Sequence, residues 1–174
     1  WLVLSDSISA TEQRATSPDD LILYSNDYAE LVEEYWPRIR LGDVDAMVVS
    51  FEALNNCWHF REAISASNDL DEFDNEMAGQ SLNMLKIGRG FFYKCKQLVE
   101  RFDWYPGWKD LRLRAALAGD RGSRLALVRD FYRYRLERPR EEFPFSPAQF
   151  VLDAIGDRDP EIFNVIAVID APWG

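Results

Sequence analysis

Histidine is nearly absent: His59 is the only one in 174 residues. That removes any zinc site built on paired imidazoles. Cys57 stands two residues before His59, a poor metal spacing beside Cys-x-x-Cys, and residues two apart on a helix do not face one another. A thiol–imidazole dyad is therefore disfavoured, and a lone histidine between Trp58 and Phe60 reads as structural. Nucleotide loops and Gly-x-Ser-x-Gly elbows are missing, and "GRGFF" at 88–92 has no strand pattern before it. No cofactor is expected. Period-two alternation is almost missing too, which leaves an all-α fold. No run of 18 apolar residues exists, so nothing in the sequence reads as a membrane-spanning helix.

Positive charge is in short supply. The chain carries 20 Lys/Arg against 30 Asp/Glu, a net charge of −10, which argues against nucleic acid or anionic lipid as partner. The shortage is uneven: residues 109–140 hold ten Lys/Arg and four Asp/Glu, leaving −16 elsewhere. This stretch reads as a solvated helical face, or more sharply as a docking face for an acidic partner. Apolar material is plentiful, at 47% with 14% aromatic residues, enough for a sizeable core in one domain.

Residues 1–20 begin with Trp-Leu-Val-Leu and continue as a Ser/Thr/Asp-rich segment. They read as a linker or tether behind a removed signal or anchor segment, with residues 21–174 forming the domain. Beyond it, Ser25-Asn26-Asp27 supplies N-cap chemistry, with Glu30 three residues past Asp27, and Tyr28, Leu31, Val32, Tyr35, Trp36 and Ile39 make one helical stripe. Pro37 should end or kink that helix near Trp36. Met47, Val48, Phe51, Leu54 and Trp58 form a second stripe. A third runs through Leu82, Leu85, Phe92, Cys95, Leu98 and Phe102. Leu111, Leu113, Ala116 and Leu117, then Leu125 and Val128, mark two further helices. The three prolines of 137–147 form a connector, and helices follow at 148–155 and 160–169.

Gly-Asp recurs at Gly42-Asp43, Gly119-Asp120 and Gly156-Asp157, each time between apolar helical runs. Glycine adopts positive φ cheaply and ends one helix, and aspartate then caps the next. The separations, 77 and 37 residues, are close to two periods and one, with a degenerate glycine turn expected at Gly79. Such a period marks stacked helical hairpins. Cys57 and Cys95, 38 residues apart, fit one period as well, so neighbouring helices should bring them into a disulfide. The bridge would place the chain in an oxidising compartment.

Ala116, Ala118, Gly119, Asp120, Ser123 and Leu127, with Gly42, Asp43, Ala46, Gly156 and Asp157, resemble the Sel-like repeat family, relatives of tetratricopeptide repeats. In that family a small residue four positions after the turn glycine lets the hairpin close tightly, and Ala46 and Ser123 fit. The resemblance implies a short right-handed solenoid of stacked antiparallel hairpins. It also implies a non-catalytic protein-interaction module, as in exported bacterial members. The expected setting is periplasmic or envelope-anchored, with the cytoplasm as alternative.

The partner is then a protein or peptide, acidic if the basic stretch contacts it. Trp104, Tyr105, Trp108, Arg129, Tyr132 and Arg133 are the densest aromatic and arginine set and the candidate contact residues. The competing reading is a small all-α hydrolase acting on cell-wall glycan. It would need two carboxylates in one cleft, from Glu33-Glu34, Asp69-Asp71-Glu72 or Glu141-Glu142. "DLDEFDNE" lacks the glycine and closing glutamate of a calcium loop.

Overall fold

The computed structural model describes residues 17–135 and 147–156, and among them every regular element is helical. The first helix begins inside the segment expected to be a linker: α1 spans Pro18–Tyr24. Ser17 accepts the Asp20 amide while Asp20 reaches back to the Ser17 amide, a reciprocal cap that the composition of 5–20 hid. Proline at the first helical position lacks only an amide that would have had no partner. Tyr28 donates its hydroxyl to the Ile22 carbonyl at 3.0 Å and ties α1 to the next helix.

Helix α2 spans Tyr28–Ile39 and opens on Asp27, whose carboxylate accepts the Ala29 amide at 2.8 Å. Pro37 does not end it. The helix continues to Ile39, because a proline in the last turn removes a single bond where few remain to be made. Helix α3 spans Val44–Trp58. Between the two, Gly42 has φ +80° and Asp43 accepts the Ala46 amide at 2.9 Å. The same corner joins α7 (Leu111–Leu117) to α8 (Arg121–Arg135): Gly119 has φ +107° and Asp120 accepts the Ser123 amide at 2.6 Å.

The degenerate turn is present. Helices α4 (Arg61–Ala66) and α5 (Leu70–Glu76) lead to Gly79 at φ +94°, and Ser81 rather than aspartate caps α6 (Leu82–Cys95). "DLDEFDNE" thus forms the cap and body of α5, with Asp69 accepting the amides of Asp71 and Glu72. Helix α9 spans Pro147–Gly156 and packs on α8. Asp157 and the apolar segment 160–169 lie outside the described residues.

Helix α3 is the hub, contacting α1, α2, α6 and α7. Its stripe of large residues accounts for one side only. Ala46, Ser50, Ala53 and Cys57, at helical spacing, are fully buried on another. Small side chains there let neighbouring helices approach closely, and Ala46 and Ser123 are buried next to their corners. Cys57 and Cys95 are joined in a disulfide, Cα–Cα 5.3 Å, linking α3 to α6. On α6, Gly88 lies beneath two rings: a Cβ there would come within 2.7 Å of Phe73 and 3.0 Å of Phe60. That close approach explains a glycine in mid-helix despite its poor propensity. Leu82 and Leu117, placed by periodicity in core stripes, are exposed, each at a helix end beside a turn.

Candidate partner-binding surface

Of the six expected contact residues, Tyr105 and Trp108 are buried, while Trp104 and Arg129 are exposed. Trp104 is 64% exposed, with the Arg101 guanidinium over its ring. Tyr105, at 4%, packs edge-on against Trp36 in the core. Burial, followed by the nearby Glu33 carboxylate, raises the pKa of its phenol. Trp108, at 7%, is wedged among Phe51, Trp58 and Phe102. Tyr105 and Trp108 are therefore core residues, because the turn at Pro106-Gly107 folds both rings inward onto α2 and α3. Arg129 is half-exposed and lies 3.6 Å from its neighbour Asp130. Tyr132 and Arg133 lie on the part of α8 where only the backbone is described.

A different cluster emerges at the C-terminal end of α3. Trp58 is partly buried, with Phe102 and Trp108 at its edges. The Arg61 guanidinium carbon lies 3.6 Å from its ring centroid and the Lys109 ammonium 4.2 Å. Two cations over one ring at those distances must occupy opposite faces, since on one face they would nearly coincide. The indole quadrupole attracts both, by about 0.5–1 kcal/mol each where solvent is near. Arg112 lies in the same way over Phe51, but its charge is committed to Glu52 and Asp130. Lys109 makes no ion pair among the described residues, and Arg61 meets only Glu62, 3.6 Å away and with its side chain 91% exposed. So loose a pair neutralises little. Sequence reading missed this cluster because Arg61 and Lys109 are 48 positions apart and meet only once α3 and the aromatic turn are packed.

Two open clefts flank α4 here. One, of about 610 Å³, is lined by residues 58–63 with Ala66, Glu76, Met77 and Gln80, so that Glu62 and Glu76 share it with Arg61. The other, of about 360 Å³, brings Glu62, Glu100 and Asp103 together beside Arg61 and Phe102. The carboxylates that meet are not those marked in sequence: Glu33 pairs with Arg101, and Asp69 caps α5. Glu141 and Glu142 lie outside the described residues. Glu62, Glu100 and Asp103 are all exposed.

Among the described residues no helix is long and apolar enough to cross a membrane, and no cluster of His, Cys, Asp or Glu could hold a metal ion. No protein-family model matches the chain, and neither a curated protein nor a solved structure shows significant similarity to it.

Proposed function

We propose that this chain is a disulfide-stapled module of stacked helical hairpins that binds a protein or peptide partner without catalysing a reaction. The observation that carries this is the open cleft along α4, where the partly buried ring of Trp58 stands beside Arg61. Partly buried aromatic and arginine side chains in a concave surface are the usual anchors of protein contacts. The three glycine corners and the small residues packed behind two of them support the Sel-like, solenoid-type reading of the hairpins. The disulfide favours an oxidising compartment such as the bacterial periplasm or envelope.

The experiment is capture of a partner by the oxidised full-length chain, compared with Ala66→Trp, which fills the cleft from an exposed position. We expect the filled variant to melt as the wild type does and to lose the partner. Equal capture by both would move the interface away from α4.

A further inference from the structure

We infer that the pair of cations bracketing Trp58 is a receptor for carboxylates, and that the partner presents an acidic segment to Arg61 and Lys109. The inference rests on the interaction-module reading and specifies the chemistry of its ligand.

Charge complementarity carries the argument. The chain is acidic overall, yet around α7 and α8 two of the carboxylates are used internally, and Asp110 beside Lys109 is the exposed one. Asp120 caps α8 through the Ser123 amide, and Asp130 pairs with Arg112. Lys109, Arg114 and Arg129 remain exposed on that hairpin and its approach. Exposed cations on α7, α8 and their approach thus outnumber exposed carboxylates there on a negative molecule, which favours an acidic partner and rejects basic ones. Beside Trp58 the two cations are held in place. The indole fixes Arg61 and Lys109 on either side of one rigid ring, and Phe102 and Trp108 fix the ring in turn. Charged side chains held this way lose less rotamer freedom when a ligand arrives. The guanidinium offers a planar fork to one carboxylate and the ammonium a point charge to the next.

The probe is a fluorescein-labelled glutamate-rich peptide, titrated with the disulfide-intact full-length chain at low and at physiological salt. Its glutamine counterpart and short-chain polyphosphate serve as the other arms. We expect saturable binding of the glutamate peptide that weakens with salt and is absent for the glutamine peptide. It should be about tenfold weaker in the Arg61→Glu, Lys109→Glu double variant. The Arg61→Lys, Lys109→Arg variant, which keeps both charges, should retain most of the binding, and unchanged melting of each variant shows that the fold persists. Absence of binding overturns the inference, as does equal affinity for the glutamine peptide, for polyphosphate or in the charge-reversed variant. If a captured partner is lost by Ala66→Trp but kept by the charge reversal, this subsite falls while the module reading stands. If Ala66→Trp also keeps it, the cleft itself is not the interface.

Discussion

Arg38 and Asp43 clasp the first corner across Gly42. The guanidinium lies 2.7 Å from one carboxylate oxygen of Asp43, while the other accepts the Ala46 amide and caps α3. The Ala46 amide first, and Arg38 after it, hold the Asp43 pKa below the ordinary carboxylate value. A depressed folded pKa contributes stability that is fully present above the unfolded value, about 4, and is lost as pH falls through the folded one. Asp43→Ala should therefore lower stability by about 0.5–2 kcal/mol at neutral pH. Asp43→Asn keeps the cap but not the charge. Its deficit against wild type should be steady above about pH 5 and shrink towards zero in acid. Urea titrations across pH measure both; a deficit that grows on acidification would contradict the assignment.

The disulfide offers the largest single change. Cys57 and Cys95 close a long loop and are both fully buried, so removing the bridge releases the unfolded chain from a real constraint. Replacement of both by alanine should cost about 2–5 kcal/mol. The check is the shift of the denaturation midpoint, with thiol titration of the unfolded, unreduced protein showing no free thiol in the wild type.

Three glycines should respond differently although all lie in helical hairpins. Gly119→Val should destabilise by over ~1 kcal/mol, since φ +107° excludes a β-branched side chain. Gly88→Ala forces a methyl against Phe73 and Phe60 and should cost about 1–3 kcal/mol. Gly90→Ala meets open space in a helix and should stabilise by up to about 1 kcal/mol. Thermal melts of the three variants would settle the order; a stabilising Gly88→Ala would mean the ring packing is loose.

The tryptophans of "DWYPGW" separate in the same way. Trp108→Ala empties a cluster of four rings and should cost about 3–5 kcal/mol, whereas Trp104→Ala should stay within about 0.5 kcal/mol. Between them Tyr105 buries a hydroxyl with no hydrogen-bond partner among the described residues. Tyr105→Phe should leave stability unchanged or raise it by about 1 kcal/mol, because a buried unpaired hydroxyl is unfavourable. Chemical denaturation of the three variants is the measurement.

Local features were open to inspection in the residues themselves. Asp27, Asp43 and Asp120 cap helices, and Gly42, Gly79 and Gly119 turn them, because a cap or a positive φ depends on a few neighbouring residues. The cysteine pairing followed from the hairpin period. What needed the tertiary structure was the outcome of competition between faces. Helix α3 buries its small residues as well as its large ones, and its stripe alone does not say how many neighbours surround it. Tyr105 and Trp108 turn inward while Trp104 turns out, although all three sit in one six-residue turn. Periodicity has no purchase on an irregular turn, where contacts with α2 and α3 decide each ring. The Arg61–Trp58–Lys109 sandwich is the extreme case: Arg61 is three residues from Trp58 and local to it, but Lys109 is 51 positions away, and only packing of the aromatic turn on α3 brings it to the ring.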